Sequence, residues 1–355
     1  MVSYLDCIER IPQVLADMLS ERNENLGQFL AEAKKRTVDE LVFVGSGSSY
    51  TSSVTSRRFV EKASGLRTTT YTADEFLNDH FVRNRNAAYI FTSQTGTSKV
   101  VRAAQAQFRD AGFFTAAISE TPATPLAKET PVYINLGCGI EEYDMRTIGY
   151  CASVFTHMLL GLELGRQRGF LSAAAADAYV AEAAKIGPSN AKICAQTMAW
   201  MDKYRRSMMR AQLIAFTGTG SLYGLALEGA MKVWEVPQTA SVGYELEDGM
   251  HGPNYGYTKN HCVVVLHDGT EQDKALALAG YVKNVVGNGY VCGPKVLAAD
   301  DLLVQPVTEN FTCLEMAPIV QVAAYRLAVD GGRDLTVPSD ERAMHSYFST
   351  HEQLQ

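Results

Sequence analysis

One stretch of this chain occurs twice. Val42–Tyr50, VFVGSGSSY, returns as Ala215–Tyr223, AFTGTGSLY, at an offset of 173 residues. The same offset carries Phe91–Thr97, FTSQTGT, onto Val264–Thr270, VVLHDGT. In each copy an apolar run of strand length meets a Gly/Ser/Thr turn, and in the first pair a helix start follows. Two strand–loop pairs matching at one offset mark a duplicated domain.

Within each half, short apolar runs alternate with helical stretches. The first half reads as strands at Leu41–Val44, Ala88–Thr92, Thr115–Ile118 and Val132–Asn135, with helices over Tyr50–Ser64, Ser98–Asp110 and Thr147–Leu164. The second half reads as strands at Leu213–Thr217, Cys262–His267, Tyr290–Val291 and Leu303–Gln305. Such alternation predicts an α/β fold in which a parallel sheet is covered by helices on both faces. The chain then divides into a helical N-terminal extension (1–36), a first α/β domain (37–168), linking helices (169–208), a second α/β domain (209–330) and a polar tail (331–355). The linker, from Ala173 to Arg210, is Ala-rich and is expected to break only at Gly187-Pro188. The tail, with Pro338, is expected to wrap over a neighbouring surface.

Composition narrows the partners. The net charge is −7 without basic tracts, which argues against nucleic acid and anionic membranes. With 46% hydrophobic and 20% charged residues the chain reads as globular, with no run expected to span a bilayer. The start, MVSYLDCIERIPQVLADML, has acidic residues and no basic-then-apolar order, so it does not read as a secretory signal. The seven cysteines are scattered and form no C-x-x-C pair. That is a reduced, cytoplasmic pattern rather than a disulfide framework or a zinc site.

The loop Gly45-Ser46-Gly47-Ser48-Ser49 leaves a strand and opens a helix, where backbone N–H groups and hydroxyls favour an anion. A tight turn that needs glycine and a Ser cap would look the same. It is neither G-x-G-x-x-G with a ribose-binding acid nor a Walker loop, so a nucleotide is not the expected ligand. A second loop, Thr92-Ser93-Gln94-Thr95-Gly96-Thr97-Ser98, also leaves the carboxyl end of a strand. Two hydroxyl-rich loops opening on one crevice of an open sheet suit a phosphate monoester. In the second half Asp268 replaces the hydroxyls and would repel phosphate, so one copy keeps the ligand and the other is scaffold.

The stretch Ala226–Pro253, ALEGAMKVWEVPQTASVGYELEDGMHGP, carries the acid–base chemistry. Glu228, Lys232 and Glu235 fall at i, i+4 and i+7 on one helix face. Pro237 stops the helix, and a Gly-rich loop leads to His251 before Gly252-Pro253. Charges at helical spacing are usually a solvated face. Here the rest of the helix is apolar, which confines them to a narrow stripe. Two carboxylates, an ammonium and an imidazole can move protons about a sugar carbon.

Taken together, Gly47-Ser48-Ser49-Tyr50, Ser93 to Ser98, Ala226 to Lys232 and His251-Gly252-Pro253 resemble the double sugar-isomerase (SIS) domain proteins. This group includes the isomerase half of glucosamine-6-phosphate synthase and the fructosamine 6-phosphate deglycases. The resemblance covers nearly the whole chain, and the spacing of A-L-E-G-A-x-K-x-x-E to H-G-P is its most specific part. It implies two tandem SIS domains, each a flavodoxin-like three-layer sandwich. It also implies that Ser48, Ser49, Ser93, Gln94, Thr95 and Ser98 hold a sugar 6-phosphate, with Gly47, Arg146 and Thr147 lining the pocket. Thr147 matches the family at six residues after Glu141, although Tyr143-Asp144-Met145-Arg146 departs from the usual small residues. Glu235 would shuttle a proton between C1 and C2, His251 would assist ring opening from a second subunit, and Glu228 and Lys232 would orient the sugar and Glu235. No metal or organic cofactor is implied, and a homodimer or tetramer is.

Two departures separate the chain from the synthase. It enters the first SIS half within about 40 residues, without the glutaminase domain that precedes it there, and no lysine follows Lys295 to form the ketose Schiff base. The tail offers His345, Arg342 and Tyr347 instead. Ammonia transfer from glutamine is therefore not expected. The leading expectation is a deglycase that converts a 6-phospho-fructosamine to hexose 6-phosphate and free amine. A phosphosugar isomerase or amino-sugar-phosphate deaminase would use the same residues, and a sugar-phosphate sensor would use the loops alone.

Overall fold

The computed structural model describes residues 2–79, 82–337, 344 and 346–352. A long helix, α1 (Tyr4–Ala33), opens the chain. The chain then divides into two compact units. One comprises 14–142, 148–181 and 338–355, and the other 1–13, 143–147 and 182–337.

The first unit is built on β1 (Glu40–Gly45), β2 (Arg67–Thr72), β3 (Ala87–Thr92), β4 (Phe114–Ser119) and β5 (Val132–Asn135). Its helices are α2 (Ser48–Ser64), α3 (Ala73–Asn78), α4 (Lys99–Asp110), α5 (Pro125–Glu129), α6 (Ile148–Gln167) and α7 (Ala173–Ala183). All strands are parallel, in the order β2-β1-β3-β4-β5. Alternate residues of β1 and β3 point to one face, where Val42, Val44, Tyr89 and Phe91 pack with Phe76, Phe108 and Phe113. The Phe76 and Phe108 rings lie 4.4 Å apart. On the strands' other register Phe43 meets His157 of α6, ring centroids 4.3 Å apart. Both faces are covered, as a parallel sheet requires.

The second unit contains α8 (Ile186–Met209), β6 (Leu213–Gly218), α9 (Ser221–Glu235), β7 (Ser241–Glu245), α10 (Pro253–Gly256) and β8 (His261–Leu266). It continues with α11 (Gln272–Tyr281), β9 (Gly289–Gly293), β10 (Leu302–Leu303) and α12 (Thr312–Asp330). Its parallel sheet runs β10-β9-β8-β6-β7. Numbered from β6, that is the order of the first sheet, so the duplication read from the repeats extends to topology. The two sheets, each with helices, are a tandem SIS architecture of flavodoxin-like order.

Four expectations need correction. Ser241–Glu245 is strand β7, inside what read as a Gly-rich loop, and β10 is Leu302–Leu303 rather than Leu303–Gln305. The break between α7 and α8 falls at Ala184-Lys185, before Gly187-Pro188. Pro188 sits in the first turn of α8, where a missing N–H costs no helix bond. Finally, α6 is long and apolar enough, by length and composition, to cross a bilayer, but its residues Ile148 to Gly165 are buried in the protein. It is the central covering helix of a sheet. Of the tail residues singled out above, Pro338, Arg342 and His345 lie outside the described residues, while Tyr347 is described and exposed.

Candidate functional site

In the first unit, Gly45 at the end of β1 pairs with Thr92 at the end of β3, so both hydroxyl-rich loops leave the sheet at one level. β1 and β3 are also where the strand order reverses, which is where open α/β sheets form their crevice. The first turn is tight. A Cβ on Gly45 would come within 2.8 Å of the Ser49 backbone, and Gly47 has φ +59°. Ser48 and Ser49 thereby occupy the first turn of α2, at the positive end of its dipole.

The second loop is braced from its neighbours. Ser93 N–H donates to Ile118 O at 3.1 Å, and Leu126 N–H donates to Gly96 O at 3.2 Å. The Thr95 and Thr97 hydroxyls lie 2.7 Å apart. Ser98 stands at the start of α4 without a capping bond from its side chain. Residues 350–352 lie along this loop: Lys99 N–H donates to Thr350 O and Glu352 N–H to Thr97 O, each at 3.0 Å. Gln94 Nε2 donates to Glu141 Oε2 at 3.3 Å. The Glu141 carboxylate is buried and also accepts from Ile148 N–H (3.0 Å) and Gly149 N–H (2.9 Å), the start of α6.

Two supporting residues of this loop pair carry no motif. Glu141 is one, visible in sequence only as a marker of spacing to Thr147. His157 is the other. Its Nδ1 lies 3.2 Å from Ser56 Oγ of α2, and its Nε2 lies 3.2 Å from Thr92 Oγ1. The ring thus ties the helix after the first loop to the strand before the second. Burial pushes its pKa down to about 3, so it is neutral across the physiological range.

In the second unit, α9 carries the predicted acid–base residues on one face, as their spacing required. Lys232 is buried between two carboxylates, with Nζ 3.5 Å from Glu228 Oε1 and hydrogen-bonded to Glu235 Oε2. Glu228 is fully buried, whereas the Glu235 side chain keeps 35% of its exposure. Of this group only Glu235 is reachable from solvent. A buried ammonium flanked by two carboxylates satisfies the demand that interior charges be paired.

His251 follows on an exposed turn, with Nε2 2.8 Å from Glu247 Oε1, which Lys274 engages through its other oxygen at 2.6 Å. Arg146 Nη1 donates to Tyr143 O at 3.0 Å, and Thr147 O accepts from Gln321 Nε2 at 3.2 Å. The crevice between β6 and β8 is chemically unlike its counterpart. Asp268 occupies it, accepting from Thr312 Oγ1 at 2.8 Å and from Thr270 N–H at 3.0 Å.

The seven cysteines lie mostly in the interior. Six of the seven are buried, and burial pushes the Cys194 thiol up to about 11 and the Cys262 and Cys313 thiols up to about 12. Among the described residues no cluster of three His, Cys, Asp or Glu side chains is arranged to hold a metal.

No protein-family model matches the chain. It is 24% identical over 245 residues to the glutamine–fructose-6-phosphate aminotransferase (isomerizing) of Bartonella henselae, covering 69% of this chain and 40% of that one. Across such relatives the chain spans about half the length of the proteins it matches, from 40% to 56%. Among solved structures, a Clostridium difficile 630 protein provisionally described as a phosphosugar isomerase superposes with a TM-score of 0.89 at 19% identity, covering all of both chains. The glucosamine-6-phosphate deaminase of Thermotoga maritima superposes with a TM-score of 0.72 at 18% identity, covering 92% of this chain and 96% of that one. At these identities the structures establish the fold, which is the double SIS fold.

Proposed function

We propose that this double-SIS chain is a phosphosugar enzyme, a deglycase that converts a 6-phospho-fructosamine to hexose 6-phosphate and a free amine. The observation that carries the reading is the α9 stripe: a buried Glu228–Lys232 pair behind a partly exposed Glu235. A purely structural salt bridge has no need of a third, reachable carboxylate on the same face.

In this reading the loops at Ser48–Ser49 and Ser93–Ser98 hold the 6-phosphate through neutral donors and two helix starts. Gly47 lines the same loop pocket. Glu235 takes a proton from C1 of the open-chain 1-amino ketose while O2 takes one from water, giving an enaminol, and returns the C1 proton to C2. Loss of the N–H proton leaves the aldimine, to which water adds, and the amine departs as the C1 aldehyde forms. The sum is one water consumed and one amine released, with no redox change. Lys232 orients Glu235, and Glu228 balances the charge of Lys232. His251 assists ring opening in a neighbouring copy of a homodimer or tetramer; its exposed place on the turn before α10 supports that role.

The test is turnover. Purified protein is incubated with fructoselysine 6-phosphate, glucosamine 6-phosphate and fructose 6-phosphate, and glucose 6-phosphate and free amine are followed. Release of glucose 6-phosphate and lysine by the wild type, with a loss of at least about 100-fold in Glu235→Gln, is the expected result. Turnover of the simple sugar phosphates alone would reassign the chain as an isomerase or deaminase. Binding without turnover would leave a sensor.

A further inference from the structure

The helix that carries the proposed base ends under the control of a residue far away in sequence. α12 closes with Gly332 at φ +87°, Gly332 N–H donating to Val329 O at 3.0 Å and Arg333 N–H to Ala328 O at 2.9 Å. A left-handed glycine reverses the chain at this point. The reversal delivers Arg333 to the last turn of α9. There Nη1 donates to Glu235 O at 2.7 Å and also to Val236 O.

These are carbonyls that no later helical N–H can reach, at the negative end of the helix dipole. A guanidinium is suited to both, being a fixed charge and a multiple donor. The same segment is fastened again two residues on, where Leu335 O accepts from Tyr143 OH at 2.7 Å. Tyr143 begins the loop that carries Arg146 and Thr147. One short stretch, 331–337, thus joins the end of α9 to the 143–147 loop within a single unit. The bond to Lys232 holds the Glu235 carboxylate, and the bonds to Arg333 hold its backbone.

We propose that Arg333 is a positioning residue for Glu235: it acts on the backbone carbonyls of the base and sets where the carboxylate stands against the sugar. The inference rests on the reading of Glu235 as the base. It goes beyond capping, because a cap that served stability alone could loosen without changing the rate. A misplacement of about 1 Å at a reacting group costs roughly 100-fold in rate.

The experiment uses the full chain with Arg333→Met and Arg333→Lys. Amide hydrogen exchange, thermal midpoint, kcat and KM are measured, with the 6-phospho-fructosamine as substrate. In R333M, exchange at Trp234–Val236 is expected to rise at least about 10-fold while the rest of the unit stays within about 2-fold. Its kcat should fall roughly 100-fold with KM kept within about 3-fold. R333K keeps the charge at the helix end and should recover part of both losses.

Unchanged exchange at the end of α9 in R333M overturns the proposal, as does looser exchange with an unchanged kcat. Exchange raised throughout the unit, with a lowered thermal midpoint, also overturns it, because Arg333 would then serve stability alone. Failure of the underlying reading looks different. A wild type inactive on every sugar phosphate removes the base itself, and the positioning role with it.

Discussion

Lys232 is the residue on which most of the proposed chemistry depends, and its environment makes a stability prediction as well as a catalytic one. Removing it in Lys232→Met takes from the fully buried Glu228 carboxylate the ammonium that stands beside it. Breaking a buried pair from one side costs about 3–5 kcal/mol. Urea unfolding should therefore place K232M well below the wild type, and Glu228→Gln in the same chain should recover much of the loss. If the single variant loses less than about 1 kcal/mol, the pair is not desolvated as described.

His157 makes the second prediction at this scale. Its folded pKa, near 3, is below the unfolded value near 6.5. Between these values the unfolded chain binds the extra proton, so stability falls as pH drops from about 6.5 toward 3 and the contribution is fully present above 6.5. The size is on the order of a few kcal/mol. The urea midpoint of wild type minus that of His157→Gln, followed from pH 7 to 4, should shrink; a constant difference would contradict a neutral buried imidazole. Neither Glu141 nor His157 was legible as part of the site. Each acts through a partner distant in sequence, Gln94 or Ser56 and Thr92, and neither lies in a repeating pattern. Glu228, Lys232 and Glu235 were legible because helical periodicity alone places them together.

Among the elements, α6 is the most tightly fitted. A Cβ on Gly165 would lie 2.0 Å from Ala63 O, and one on Gly161 would lie 2.9 Å from Val60 Cα, so α2 and α6 touch through glycine. Gly165→Ala meets backbone and should cost about 2–3 kcal/mol by calorimetry or urea unfolding. Gly149 lies at the other end of the same helix and differs in kind. Its added Cβ would fall 1.7 Å from Gln94 Oε1, a side-chain end that can move. Gly149→Ala should therefore unfold nearly as the wild type does while binding glucose 6-phosphate about 10-fold more weakly, for a loss of about 1.4 kcal/mol in calorimetric titration. An unchanged affinity would take Gln94 out of the phosphate site.

The strands that escaped the sequence reading have one cause. β2, RTTTYT, is an edge strand with only Thr68 buried, and β7, SVGYE, is its counterpart at the edge of the other sheet. Edge strands need no apolar run, and the rule that reveals a doubly covered strand passes over them. Of the interior strands, β1, β3, β4, β6 and β8 are Val/Ile/Phe/Ala-rich and were legible for the opposite reason. The Gly187-Pro188 pair misled because a proline was read as a stop where it marks a start.

At the level of the whole molecule, two sheets of one topology do not make two equivalent sites. In the first crevice the loops present Ser48, Ser49 and Ser93 to Ser98. In the second, Asp268 stands bonded to Thr312 and Thr270. Isothermal titration with glucose 6-phosphate should give one equivalent per chain, and two equivalents would mean that Asp268 does not exclude an anion as argued.

The burial of α6 also bears on how the protein is made. Ile148–Gln167 has the length and apolarity that would let it enter a bilayer, and only the finished fold hides it. In chain order, however, it follows α2 and β1 to β5, the elements it covers. By the time this segment leaves the ribosome, the surface that receives it has already been synthesised. The second unit repeats the order, since α12 comes after β6 to β10. Because domains fold as they emerge, N-terminal parts first, each half of the chain delivers this helix only after the strands of its sheet. The order of synthesis keeps short the interval in which that helix has nowhere to go but lipid or another nascent chain.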